Sequence, residues 1–232
     1  MSKKVSILQS NYIPWKGYFD IINSSDVFVI YDDMQYTKRD WRNRNKIKTA
    51  SGIQWLTIPV NVKGKFYQKI NQTTIADDNW GSKHWKILEY NYKKAPYFKS
   101  IEENFKNLFI ENDSSYLSNV NQKLIQKVLD FLHLDVKILR SEEFHLSGNP
   151  SEKLLGICKE LKATSYLSGP AAKDYLDVNI FIQENLNVEW MDYSSYPVYN
   201  QLYPPFDHYV SIMDLLFMEG ENAIQFLKSP NG

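Results

Sequence analysis

Asp26-Val27-Phe28-Val29-Ile30-Tyr31 is an apolar, mostly β-branched run, followed at once by two acids, Asp32 and Asp33. A strand of this composition has both faces covered, which is the habit of a parallel sheet. Upstream, Val5-Ser6-Ile7-Leu8 reads as a shorter strand and residues 17–23 as a short helix. The chain therefore opens as strand, helix, strand. Downstream, Trp55-Leu56-Thr57-Ile58-Pro59-Val60 reads as a third strand, its proline suggesting an edge or an ending. Residues 79–92, 100–109 and 115–132 carry apolar residues at three- and four-residue spacing. In the last of these, Leu117, Val120, Leu124 and Val128 share one face. The alternation then resumes. Residues 136–139 form a strand, Asn149-Pro150-Ser151 opens a helix, and Ser165-Tyr166-Leu167-Ser168-Gly169 is a strand running into a turn. A helix through Ile182 and a strand over 188–191 follow. This order predicts an α/β fold, a mostly parallel sheet with helices on both faces. One domain over 1–232 is expected, with a helical insertion over about 79–133 and a Tyr- and Pro-rich segment with helices over about 194–228.

Hydrophobic residues make up 43% and charged residues 23%, so a sizeable core is within reach. Lys plus Arg and Asp plus Glu both number 27, a balance that argues against a general nucleic-acid binder. The one cysteine, Cys158, excludes an intrachain disulfide, and its apolar setting predicts an inert, packed thiol. No apolar run is long enough to span a bilayer, and Met1-Ser2-Lys3-Lys4 lacks the apolar stretch of a signal peptide. A cytoplasmic protein is the expectation, with a homo-oligomer left open. The histidines His84, His133, His145 and His208 show no metal-ligand spacing, so no metal is expected.

Chemistry is expected where strands end, because ligands of open parallel sheets bind beyond the carboxyl ends of the strands. After the first strand, Gln9, Asn11, Tyr12, Trp15 and Gly17 offer amides, aromatic faces and a glycine that lets backbone approach a ligand; a simple turn with packed aromatics reads equally well. After the second, Asp32 and Asp33 lead into Gln35, Tyr36, Lys38, Arg39, Trp41, Arg42, Asn43 and Arg44. Lys38, Arg39, Arg42, Arg44 and Lys46 place five positive charges in nine residues around Trp41. Arginine forks match phosphate or carboxylate, and Trp and Tyr stack on rings. A solvated charged face is the plainer alternative. Asp32 or Asp33 suits a general base or a hydroxyl-orienting group. At a third junction, Ser168, Gly169 and Lys173 are expected to open a helix whose free N–H groups attract an anion. The segment from Tyr196 to Phe206 reads as a substrate wall or lid, or as packing for the last helices. Neither a GxGxxG nor a GxSxG motif is present.

Gln9-Ser10-Asn11-Tyr12-Ile13-Pro14-Trp15-Lys16-Gly17-Tyr18-Phe19, the block from Tyr31 to Asn45, Tyr166-Leu167-Ser168-Gly169-Pro170-Ala171-Ala172-Lys173-Asp174-Tyr175 and Ser211-Ile212-Met213-Asp214-Leu215-Leu216-Phe217 together resemble the WbqC-like family. The resemblance spans nearly the whole chain. It implies a place in bacterial O-antigen or other surface-polysaccharide assembly. Ser10 departs from the pattern, which has proline there. The order of strand, Pro-containing loop, Gly17, helix and next strand is also similar to pantothenate synthetase, as is Ser168-Gly169 with Lys173-Asp174. That likeness implies a Rossmann-like nucleotide-binding scaffold. The paired histidines of that enzyme's phosphate loop are missing, with Trp15 and Tyr18 roughly in their place. The resulting expectation is an anionic small-molecule substrate, a nucleotide-linked sugar, modified by acyl or aminoacyl transfer that forms an amide on an amino sugar. ATP or an acyl or aminoacyl donor is the conceivable co-reactant. An ATP-dependent ligase or nucleotidyltransferase, and a non-catalytic sugar-nucleotide-binding or scaffold protein, are the alternatives.

Overall fold

The computed structural model describes residues 2–229. Its centre is a five-stranded, wholly parallel sheet. The strands are β1 (Lys4–Leu8), β2 (Val27–Ile30), β5 (Lys137–Arg140), β6 (Ser165–Ser168) and β7 (Asn187–Trp190), in the order β5-β2-β1-β6-β7. The chain winds outward from β1 to β2 and β5, then returns to the other side of β1 for β6 and β7. That reversal makes a Rossmann-like fold with its switch point between β1 and β6.

The period-two pattern of β2 explains the burial of both faces. Val27 and Val29 join Val5, Ile7 and Cys158 in one core, while Phe28 and Ile30 join the opposite one. The first core is closed by α5 (Pro150–Glu160) and α6 (Val178–Gln183). Asn149 caps α5, accepting from the Glu152 N–H at 3.0 Å, while the Glu152 carboxylate accepts from the Asn149 N–H at 2.7 Å. Burial pushes the Cys158 thiol up to about 12, which leaves it protonated and inert, as its apolar setting predicts. The second core gathers α1 (Lys16–Asn23), the helices α2 (Trp80–Tyr92), α3 (Phe98–Ile110) and α4 (Leu117–Phe131), and α7 (Ile212–Glu219). Among the described residues no helix is long and apolar enough to cross a membrane.

One strand expectation is corrected. The segment beginning at Trp55 does not extend the parallel sheet. It belongs to β4 (Gly52–Thr57), which pairs antiparallel with β3 (Arg44–Thr49) as a separate hairpin. Gly52, at φ +105°, makes the tight connection, and Thr49 Oγ1 donates to its carbonyl at 2.9 Å. The expected basic run is therefore partly a strand. It projects Arg44 and Lys46 from the face that also carries Trp55, since Lys46 pairs with Trp55 in register.

Candidate functional site

The loop after β1 is built around Asp32, the second residue beyond β2. Its carboxylate accepts from the Ser10 N–H at 2.8 Å, from Ser10 Oγ at 2.7 Å, and from Ser118 Oγ on α4. The side chain has no exposed surface. Burial raises its pKa, while the bonds from Ser118 and Ser10 pull the other way. The sequence expectation of Asp32 as a base facing an acceptor does not fit this setting; the residue ties two loops to a helix. Ser10 supplies two of the three donors, and a proline in its place would lack both the N–H and the hydroxyl.

The same loop then turns sharply. Ile13 has φ +35°, a conformation rare for a β-branched residue. Asn45 on β3 donates Nδ2 to the carbonyls of Tyr12 at 3.1 Å and Ile13 at 2.9 Å. The Tyr12 N–H donates to the Trp41 carbonyl at 3.0 Å, the Ser211 N–H to the Lys46 carbonyl and the Ile212 N–H to the Pro14 carbonyl, each at 2.8 Å. Three segments distant in sequence, 12–14, 41–46 and 211–212, are thus tied together by main-chain bonds. They enclose a cleft of about 220 Å³ lined by Asn11, Pro14, Trp15, Trp41, Asn45 and Tyr209. Three aromatic side chains form its walls and two amides its polar part.

Trp15 is held in place by neighbouring rings, Tyr193 at 5.2 Å, Tyr209 at 5.3 Å and Tyr196 at 5.7 Å between centroids. Gly17 serves this arrangement. A Cβ there would lie 2.3 Å from the Trp15 ring, so the close approach expected of a ligand is made by the protein's own indole. Trp41 is 40% exposed and packs against Trp55 at 5.4 Å. The Arg44 guanidinium lies 4.1 Å over Trp55, and Lys46 Nζ is 5.7 Å from both indoles. Behind the cleft, Arg42 donates to Asn11 Oδ1 and, at 2.6 Å, to Gln9 Oε1. It also lies 3.7 Å from Asp40. Partial burial raises the Asp40 carboxyl, but Arg42 and the Thr37 hydroxyl outweigh it and hold it below the usual range. Asn11, Trp15 and Trp41 line the cleft, Arg42 joins Gln9 to Asn11 behind it, and Arg44 stands over Trp55 beside it.

Other predicted residues lie elsewhere. Tyr12 is fully buried, its hydroxyl 2.8 Å from His84 Nδ1, and Asn43 donates to the Ile58 carbonyl; both are core. Asp33 turns toward β5, accepting from Lys69 Nζ at 2.8 Å and Ser141 Oγ at 2.9 Å. Partial burial raises its pKa, but these bonds prevail and lower it. Gln35, Tyr36 and Lys38 line a second depression with Phe66, and Arg39 accepts at its carbonyl from Arg44. Gly169 does not open an α-helix. Pro170–Asp174 is a 3-10 turn and α6 begins only at Val178, so the expected helix-dipole anion site is not formed at Ser168 and Gly169. Lys173 instead lies 5.6 Å over Trp190. A Cβ on Gly169 would sit 3.7 Å from the Tyr193 hydroxyl, so this junction meets the first through Tyr193 and Trp15. Pro14, Asn45, Tyr193 and Tyr209 were not singled out by the sequence. Asn45 and Pro14 sit inside segments already flagged, whereas nothing local marks Tyr193 or Tyr209.

These features define a class: a Rossmann-like α/β protein with an aromatic, cation-rimmed cleft at the end of its first strand. A family model, the WbqC-like protein family, matches residues 9–226. The chain belongs to that family. It is 45% identical over 226 residues to the uncharacterized protein Rv1507c of Mycobacterium tuberculosis, covering 97% of this chain and 98% of that protein. No solved structure matches it.

Proposed function

We propose that the protein is an enzyme of bacterial surface-polysaccharide assembly that acts on a nucleotide-linked amino sugar. The supporting observation is the cleft itself, where planar walls from Trp15, Trp41 and Tyr209 stand beside Arg44 and Lys46. A flat base or sugar would occupy the aromatic slot, while the diphosphate would meet the cations. In the proposed reaction the amine nitrogen of the sugar attacks an acyl or aminoacyl carbonyl. The amide bond forms, the bond from that carbon to the donor's leaving group breaks, and the amine proton passes to a base. Asp33 keeps 16% side-chain exposure but turns away from the cleft toward Lys69 and Ser141, so in the proposal water takes the amine proton.

A second reading has its own support. Both carboxylates are engaged, Asp32 by Ser10 and Ser118, Asp33 by Lys69 and Ser141, which favours a non-catalytic sugar-nucleotide-binding protein. Titration calorimetry with UDP- and dTDP-linked amino sugars, ATP with magnesium, and acyl-CoA compounds tests the binding step. Mass spectrometry of the sugar after incubation with donor tests transfer. Saturable sugar-nucleotide binding with a mass gain supports the transferase. Binding without turnover supports the second reading, and binding of ATP with pyrophosphate release points to a ligase. No binding by any sugar nucleotide overturns both readings of the cleft.

A further inference from the structure

From Trp41 to Ala76 the chain contains no Asp or Glu but seven Lys or Arg, although the whole molecule carries no net charge. The structure gathers part of this excess around a protruding loop. Gly64, at φ +72°, makes a turn that only glycine adopts easily, and Lys65 and Gln68 close two successive turns on Val62 and Lys65. The base is pinned by Gln68 Nε2 on the Asn61 carbonyl at 2.9 Å and Gln35 Nε2 on the Phe66 carbonyl at 2.8 Å. At the tip of this ordered loop stand Phe66 and Tyr67, 73% and 84% exposed, with their rings 5.0 Å apart and nearly perpendicular. Two adjacent large aromatic residues so far out of the core bury little within the chain. Lys63 and Lys65 flank them and Lys38 shares their depression; among the described residues none of the three has a carboxylate within 4.0 Å.

We propose that this loop docks the protein on an anionic lipid bilayer, Phe66 and Tyr67 entering the headgroup region while Lys63, Lys65 and Lys38 meet lipid phosphates. Aromatic side chains favour the boundary between water and hydrocarbon, and each nearby lysine adds attraction to an anionic surface. Two adjacent aromatic side chains exposed to this degree suit a surface that can deform around them better than a rigid folded partner. The charges beside the two rings are lysines, whose compact ammonium groups suit a fluid array of headgroups better than one fixed bidentate acceptor. Arg39 follows Lys38 in the chain, and its carbonyl accepts from Arg44, which lies over Trp55.

Cosedimentation of the full chain with vesicles tests this. The protein is expected to pellet with phosphatidylcholine vesicles containing about 30% phosphatidylglycerol at about 0.1 M salt. It should stay in solution with phosphatidylcholine alone and be released as salt rises. Lys63→Gln with Lys65→Gln is expected to weaken partitioning by roughly fivefold per lysine. Phe66→Ser with Tyr67→Ser, which keeps every charge, is expected to weaken it at least as much. All four side chains are exposed, so unchanged circular dichroism should accompany both variants. Absence of binding to anionic vesicles overturns the proposal. So does binding that survives loss of the two aromatics, or heparin and single-stranded DNA binding in place of vesicle binding.

Discussion

Asn45 holds Ile13 in a left-handed backbone conformation, donating one amide to the carbonyls of Ile13 and its neighbour Tyr12 at 2.9 and 3.1 Å. The β3–β4 hairpin thereby sets the shape of the loop after β1, although the two are not paired as strands. Asn45→Ala leaves two carbonyls without that donor in a buried setting. Loss of about 1–3 kcal/mol in denaturant unfolding is expected, together with weaker ligand binding. A variant as stable as the parent would show that the turn holds itself.

Gly17→Ala separates ordinary helix propensity from the packing of Trp15. At an unconstrained helix position alanine is favoured by about 1 kcal/mol. Here the new methyl meets the Trp15 ring, which three tyrosines surround. Destabilisation of about 1–3 kcal/mol and a shift in tryptophan emission are expected. A stabilised variant with unaltered emission would contradict the placement of the indole.

Trp41→Ala removes an outer wall of the cleft from a residue that is 40% exposed. Stability should fall by about 1–2 kcal/mol, because the contact with Trp55 and the buried part of the ring are lost. Affinity for a ring-bearing ligand should fall roughly tenfold or more, as loss of a stacking face does. Calorimetry beside thermal unfolding reads both numbers, and equal affinity would place the ligand elsewhere.

The two neighbouring acids are expected to respond differently. Asp32→Asn weakens the anchorage given by Ser10 and Ser118 and should cost about 1–3 kcal/mol of stability. Asp33→Asn should leave both sugar-nucleotide affinity and turnover close to those of the parent, because the carboxylate faces Lys69 and Ser141 and not the cleft. A fall in turnover of roughly 10²-fold with affinity kept would instead make Asp33 the base.

His84 makes stability depend on pH. Burial lowers its pKa from 6.5 to about 4, with the Tyr12 hydroxyl 2.8 Å from Nδ1. Between those values the unfolded chain binds a proton that the folded one refuses, so stability falls as pH drops from 6.5 toward 4. The contribution is at most roughly 3 kcal/mol. His84→Gln should flatten this part of the urea-midpoint profile, and an unchanged slope would assign the pH dependence to other groups.

The parallel sheet was legible because β2 and its neighbours are short apolar runs that only a two-faced core accommodates. The start of α5 was equally plain from Asn149-Pro150-Ser151, while the Glu152 half of its capping box came only with the structure. The hairpin was not, because Arg44-Asn45-Lys46 reads as a charged stretch until Trp55 and Trp41 are placed against its cations. The site was legible as loops and not as geometry. Asp32 is buried by donors from Ser10 and Ser118, and the latter is 86 residues away, beyond any local pattern. Tyr209 reaches the cleft only because Ser211 and Ile212 bond to the Lys46 and Pro14 carbonyls.

Two buried lysines, Lys16 and Lys48, grip the Tyr- and Pro-rich segment by its main chain, at the carbonyls of Pro197 (2.8 Å) and Pro205. A grip on carbonyl oxygens is blind to side-chain identity. The aromatic residue that this part of the chain presents at the cleft, Tyr209, can therefore be exchanged without undoing these two attachments. Choice of ligand and integrity of the fold become separately adjustable, and a designer wishing to alter what the cleft accepts has a wall to rewrite with its fastenings left untouched.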